Sequence, residues 1–334
     1  MLNFLELNET FKKQWCSFVE EHNYGNVFQT FEYYELFLNE KNYKPFAFAV
    51  IDYNEIVAII AGVIETNLFP PVDILTSRAV IRGGPLIINN SRKILDYLLS
   101  NLITKLKSEC IYIQFRNLWN FNSEKDVFNK YNFRYVTHLA ILNRLDQPRE
   151  LLIKKINKNK RGNINKSLNK GIVFKEINDV DEFSKCIGLI NQTYSRVKLP
   201  VPNKKFFSKA FDKLHSIGLL KVFGAYDNLI LIGTRLELCY KHRIYDWYAG
   251  SDDNYKNRYP NDFLPYHIFL WGQEHNFNVF DFGGAGKPNI PYGVRDHKIK
   301  FGGDLVEFGR FERILKPTLM KIGRLGLKIY KLFR

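Results

Sequence analysis

"YDWYAGSDDNYKNRYPNDFLPYHIFLWGQEHNFNVFDFGG", residues 245–284, changes its period twice. The segment "HRIYDWYAGS", which overlaps its start, alternates as a strand does. "PNDFLPYHIFLWGQEHN" carries apolar residues at helical spacing. "VFDFGG" is a short apolar run closed by two glycines. Strand, helix and strand in that order point to an α/β unit. Upstream, "LLKVFGAYD" and "LILIGTRLELCY" read as two more strands. Before them come "GIVFKEIN" as a strand and two helices, "DVDEFSKCIGLINQTYSRV" and "NKKFFSKAFDKLHSIG", the second ending at Gly218.

The first half has the same grammar. "NETFKKQWCSFVEEH" and "TFEYYELFLNEKN" read as helices, the second capped by Thr30. "PFAFAVID" and "EIVAIIAGVIE" follow as strands, then "RAVIRGGPLII", a strand with a Gly-Gly-Pro interruption. In "SRKILDYLLSNLITKLKS", Ile94, Leu95, Leu98, Leu99, Leu102 and Leu106 fall on one helical face. "CIYIQFRN" and "YVTHLAILNRL" are strands again. The fold class expected is α/β (α+β) with two similar lobes, 1–145 and 146–312, and a tail at 313–334.

The 334 residues carry a formal net charge of +15. That excess favours polyanionic partners such as nucleic acid, anionic lipid or phosphorylated substrates. Cys16, Cys110, Cys186 and Cys239 are widely spaced, which predicts free thiols and no zinc cluster. No apolar run reaches the length of a membrane span, and "MLNFLELNETFKKQW" lacks the order of a signal peptide. A cytoplasmic protein is expected. The segment 154–170, "KKINKNKRGNINKSLNK", has seven Lys or Arg and no acid. It lies in a basic helical junction, 150–170, between the lobes. On one continuous helix most of its cations share half the circumference, with Lys160 the exception; Gly162 is a candidate break. A phosphate-rich partner and a merely solvated face both suit it.

Several motifs resemble the Fem family, whose members transfer an amino acid from aminoacyl-tRNA to the peptide of a peptidoglycan precursor. "FQTFEYYELF" is similar to its Gln-Thr-x-x-Trp helix, with Tyr in place of Trp. "RGGPLI", 82–87, resembles its Arg-Gly-Pro strand, "NKRGNINKSLNKGI" its basic helix, and "TYSRVKLP" its Thr-x-x-Arg segment. The opening stretch and "HKIKFGGDLVEF" resemble its closing signature, with His297 where Phe is usual. The resemblance covers most of the chain, loosely in the first lobe. It implies two tandem GNAT-like lobes with mixed β-sheets. The long coiled-coil arm of some members has no room here, because 178–218 reads as two ordinary helices.

Acyl transfer to an amine needs positioning, a route for a proton and stabilisation of an oxyanion, and no covalent nucleophile. The resemblance and the chemistry together nominate Lys298 as the cation for developing negative charge. Asp281 is the carboxylate to orient or deprotonate the amine, or simply a turn-capping residue. Arg196, Tyr248, Ser251, Asp252, Asn261 and Arg82 are candidates for substrate binding. Asn261 could equally cap a helix, and Arg196 could be a solvated helix end. Lys158, Lys160, Arg161 and Lys166 are candidates for phosphate or tRNA.

No resident cofactor or metal is expected. The donor is charged tRNA or acyl-CoA as co-substrate; the GNAT pyrophosphate loop [QR]-x-x-G-x-[GA] is absent, which counts against CoA. The acceptor implied is an amine on a pyrophosphate-linked cell-envelope precursor. An acyl-CoA-dependent N-acyltransferase acting on an envelope sugar, and a non-catalytic nucleic-acid-binding protein, are the rival readings. After Pro317 the helical wheel separates Lys321, Arg324, Lys328, Lys331 and Arg334 from Leu319, Ile322, Leu325 and Ile329. That basic amphipathic tail, 318–334, is the pattern of a helix lying on an anionic membrane surface, or of a helix packed on the first lobe.

Overall fold

The alternating runs of the first half pair as expected. In this computed structural model, which describes residues 1–68 and 72–332 without the side chains of 324, 325 and 327–332, the chain divides into two units. One comprises 1–137 with 308–334, the other 138–307.

The first unit is built on β1 (Asn3–Glu6), β2 (Tyr43–Asp52), β3 (Glu55–Glu65), β4 (Arg78–Arg82), β5 (Leu86–Ile87), β6 (Tyr112–Arg116), β7 (Arg134–Val136) and the late strand β15 (Arg310–Ile314). Their order is β1-β2-β3-β4-β6-β15-β7, with β5 also on β3. β4 and β6 are parallel and the other pairs antiparallel. Helices α1 (Lys12–Glu21), α2 (Phe31–Glu35), α3 (Arg92–Leu106) and α4 (Lys125–Lys130) complete the unit. The leucine stripe of α3 is buried as its spacing requires. Thr30 does cap α2 by accepting from the Tyr33 amide, but α2 is shorter than expected. Buried Gln29 exchanges hydrogen bonds with the Ala61 backbone and donates to the Arg82 carbonyl at 2.7 Å, fixing β3 against the end of β4.

The second unit has β8 (Leu139–Arg144), β9 (Val173–Glu176), β10 (Leu220–Asp227), β11 (Ile230–Tyr240), β12 (Arg243–Ser251), β13 (Val279–Gly284) and β14 (Asp304–Glu307). The order is β14-β8-β13-β12-β11-β10-β9. Again one pair, β12 and β13, is parallel. The helices are α5 (Arg149–Lys155), α6 (Lys158–Asn169), α7 (Val180–Arg196), α8 (Lys204–Ala210), α9 (Pro260–Glu274) and α10 (Gly293–Lys298).

Laid side by side, the two sheet orders correspond strand for strand. Each has an antiparallel hairpin series, a helix (α3 or α9), a parallel strand and two further strands. The strand between β6 and β7 is β15, which follows β14 in sequence. The strand between β13 and β14 is β8, which follows β7. This exchange moves the expected boundaries. Residues 139–144 belong to the second unit and 308–312 to the first, so the divisions at 145/146 and 312/313 do not describe the units. The basic junction is two helices, and the break falls at Ile156–Asn157 rather than at Gly162. Asn157 caps α6 by accepting from the Asn159 amide. Residues 178–218 hold α7, α8 and a π-helical turn, Phe211–His215.

The tail forms α11 (Pro317–Leu332). Gly323 is buried against the Leu75 carbonyl so closely that a Cβ would lie 2.5 Å from it. The start of α11 is thereby docked on the first unit. Most of the two faces expected for the tail lies outside the described side chains. Among the described residues no helix is long and apolar enough to cross a membrane.

Candidate active site

β12 and β13 are joined over three rungs only, from Arg243↔Val279 to Tyr245↔Asp281. β12 then runs on to Ser251 and β13 to Gly284 without further pairing between them, so the two strands fork. On its other side β12 carries a bulge: Glu237 pairs with Asp246 and Leu236 with Tyr248, leaving Trp247 as the extra residue. A bulge twists and bends its strand, which accounts for the parting.

Lys298, the last residue of α10, closes the base of this fork. Its ammonium lies 3.1 Å from Asp246 Oδ2 on β12 and donates to the Phe282 carbonyl on β13. Two of its three N–H donors are thus engaged, and one is left for a ligand.

Asp281 is not part of this constellation. Gly233 on β11 meets α9 residues Pro260 and Leu264, whereas Gly250 on β12 is packed on the α7 backbone at Leu189 and Ile190. The two helices therefore cover opposite faces of the sheet. Phe280 and Phe282 pack with Phe269 of α9, so alternation turns Asp281, between them, to the α7 face. There its Oδ1 accepts from the Gly283 amide at 2.7 Å and its Oδ2 lies 3.7 Å from the Arg243 guanidinium. Burial raises its pKa above the ordinary carboxylate range, an effect that Arg243 and the Gly283 amide only partly offset. The turn-capping role is the one its geometry fits. Asp246 is the carboxylate that meets Lys298.

On the α9 face a buried chain of charges runs back from the fork. Asp246 Oδ1 is 2.7 Å from Arg235, and Arg235 is 3.8 Å from Glu237, which is fully buried. Burial pushes Asp246 upward in pKa, but Arg235 and Lys298 outweigh it and hold the carboxyl below its usual range. Burial raises Glu237 well above the ordinary value, Asp246 adds to this, and Arg235 offsets it only in part. Neither Glu237 oxygen has a hydrogen-bond partner. Burial thus favours the protonated form of Glu237, and Asp246 is the carboxylate that meets the Lys298 side chain. Sequence reading missed all three residues. The available signal was "TRLEL", where Arg235 and Glu237 occupy alternate positions, hence one face, of an otherwise apolar strand.

Beside this chain, Lys160 corrects an expectation. It is 8% exposed, pairs with Asp262 of α9 and lies 3.0 Å from His297 Nδ1. Asn163 donates to the other Asp262 oxygen at 2.8 Å. A lysine so enclosed ties α6 to α9 and α10 and does not face a phosphate backbone. Lys158 and Lys166 are exposed and Arg161 is half-buried. Burial, then Lys160, lower the His297 pKa from 6.5 to about 4. The unfolded chain thus takes up a proton below pH 6.5 that the native state refuses until about pH 4. Stability should fall by about 1–2 kcal/mol between pH 6.5 and 5 on this account. Urea midpoints of wild type and His297→Gln across that range check it. An unchanged slope in the variant would remove His297 from the cause.

At the far end of β12, the expected binding residues do gather. The Ser251 amide donates to Thr193 Oγ1 and its hydroxyl accepts from Asn261 at 2.9 Å. Arg196, ending α7, pairs with Asp253 at 2.6 Å, and Asp252 caps the following turn. Tyr248 packs against Tyr194 and Phe207 on the α7 face. Asn261 is not the cap of α9; Tyr259 holds that position at φ 55°, with Pro260 next. Arg82 lies in the first unit, at the end of β4.

The Acetyltransferase (GNAT) domain family matches residues 154–298, which take in the fork, the charged chain and Lys298. Residues 154–298 form a domain similar to the acetyltransferase (GNAT) family. No curated protein matches the sequence. Among solved structures, FemX superposes with a TM-score of 0.75 at 15% identity, over 96% of this chain and 99% of that one. L-PGS from Bacillus licheniformis gives 0.60 at 14%, over 96% and 97%. A tandem GNAT protein from the clavulanic acid biosynthesis pathway gives 0.60 at 9%, over 94% and 99%. At these identities the likeness speaks to fold, and it extends the GNAT architecture from the matched domain to both units. The Fem resemblance read from the sequence is borne out in that fold and in the GNAT domain.

Proposed function

We propose that this GNAT acyltransferase transfers an aminoacyl group to an amine of a cell-envelope precursor, forming an amide. The observation that carries the reading is Lys298 at the fork of β12 and β13. Beyond Tyr245 the β12 backbone has no ladder partner on that side. An extended donor or acceptor chain can therefore lie along it, as peptides do along a free strand edge. The acceptor amine attacks the donor carbonyl carbon, the carbonyl oxygen takes the negative charge, and the C–O bond to the leaving group breaks as the amine's proton passes to the departing oxygen. In this reading the third Lys298 N–H meets that oxyanion or the departing oxygen. Asp246 holds the Lys298 side chain in place.

Fold neighbours support the envelope setting, FemX first among them. For the donor, charged tRNA is proposed over acyl-CoA, since the chain lacks the GNAT pyrophosphate loop and exposes Lys158 and Lys166 on α6. The tandem GNAT fold shared with the clavulanic acid pathway protein keeps the thioester donor as the competing case. Purified protein supplied in parallel with aminoacyl-tRNA and acyl-CoA decides this. Amide product should form from aminoacyl-tRNA and vanish with ribonuclease. Ribonuclease-resistant product from acyl-CoA would refute the donor assignment.

A further inference from the structure

Lys298 is not the only residue of α10 that grips the strand beside it. One turn earlier, the Arg295 guanidinium donates to three carbonyls of the loop that follows β13. Its Nη1 reaches Lys287 at 2.6 Å and Ala285 at 3.4 Å, and its Nη2 reaches Ile290 at 2.8 Å. A planar fork with donors on both nitrogens gathers carbonyls that lie apart; a lysine ammonium is a single point. The base of the loop is fixed from the other side. The Ala285 amide donates to the Leu139 carbonyl of β8 at 2.7 Å, and the Leu139 amide to the Gly286 carbonyl at 2.8 Å.

The loop folds Tyr292 back over Gly286. A Cβ on Gly286 would lie 3.0 Å from Tyr292 Cδ1, and φ there is +74°, so glycine lets the ring settle on the backbone. Above this support Ile290, Pro291 and Tyr292 are exposed, as is Val294 at the start of α10. Exposed apolar side chains on a pinned backbone suit a ligand contact.

Two observations direct that surface to the fork. Three residues of α10 rise about 4.5 Å, so Arg295 and the loop it holds lie close to Lys298. Across the fork, Tyr194 of α7 packs on Tyr248 of β12, their ring centroids 5.7 Å apart. Burial pushes the Tyr194 phenol up to about 12, and Asp246 and then Tyr292 add to the rise. Tyr194 is thus within electrostatic reach of the carboxylate that holds Lys298 and of Tyr292 on the loop.

We propose that Tyr292 walls the space open to the transferred acyl group, and that Arg295 is the positioning residue that holds this wall. The inference rests on the transfer reaction proposed above: the donor carbonyl lies at Lys298 and its substituent against Tyr292. One tRNA charged in turn with glycine, alanine, leucine or phenylalanine tests it. Wild type, Tyr292→Ala, Arg295→Lys and Leu229→Ser each receive these donors, with a peptidoglycan-precursor pentapeptide bearing a lysine amine as acceptor. Tyr292→Ala should raise the ratio of kcat/KM for leucine over alanine by about tenfold or more, the scale of such changes in an apolar pocket. Arg295→Lys should move the ratio the same way, because lysine keeps the charge but not the three carbonyls. Leu229→Ser, exposed on the hairpin between β10 and β11, should leave it unchanged. Chymotrypsin reads the positioning without turnover: it should cut after Tyr292 several-fold faster in Arg295→Lys than in wild type. A wild-type ratio in either site variant overturns the proposal, as does an unchanged cleavage rate in Arg295→Lys. A wild type that forms amide from none of the four donors would overturn the transfer reading instead, while the cleavage rate still decides the role of Arg295.

Discussion

Arg235→Met should destabilise the protein by about 3–5 kcal/mol, the range for removing one partner of a buried ion pair. Arg235 is 5% exposed and lies between Asp246, an anion, and Glu237, a fully buried acid. Without the guanidinium, Asp246 keeps only Lys298, and Glu237 is left further from any cation. The contrast is Glu237→Gln. A carboxyl that is already protonated resembles an amide in shape and charge, so this change should cost little. Denaturant unfolding of both variants at pH 7 measures the difference. If Glu237→Gln proved as costly as Arg235→Met, Glu237 would be ionised and the charge assignment of the chain would be wrong.

Lys298→Ala should lower kcat by on the order of a hundredfold or more, with KM little changed. The residue contributes a donor where charge develops in the transition state, and the ground-state carbonyl makes less use of it. Fold should survive, because Asp246 retains Arg235 at 2.7 Å and no residue of α10 is fully buried. A raised KM at unchanged kcat would instead make Lys298 a ground-state binding residue.

Much of this architecture was legible from period alone. The stripe of α3 and the sequence from β12 through α9 to β13 fold as their patterns indicate, apart from the bulge at Trp247. Unit boundaries were not legible. Strand pairing is a long-range fact, and nothing local in "HLAILNRL" or "GRFERI" says which sheet will take it. The site was legible where a motif carried it and opaque where burial decided. Lys298, Ser251 and Asn261 were named from motif and position, but the hydrogen bond between Ser251 and Asn261 was not. Lys160 was the exception on the helical wheel, grouped with the phosphate candidates all the same, and its face turns it inward to Asp262. Asp281 looked catalytic beside its glycines, but one residue of strand alternation sends it to the other face from Lys298.

The most direct test of Lys298 as the oxyanion-stabilising group is a single-turnover measurement of amide formation at saturating donor and acceptor, in wild type and Lys298→Ala, with the melting temperatures of both recorded. The account predicts amide product from the wild type, a rate lower by on the order of a hundredfold in the variant, and matching melting temperatures. Equal single-turnover rates in two equally folded proteins would contradict it.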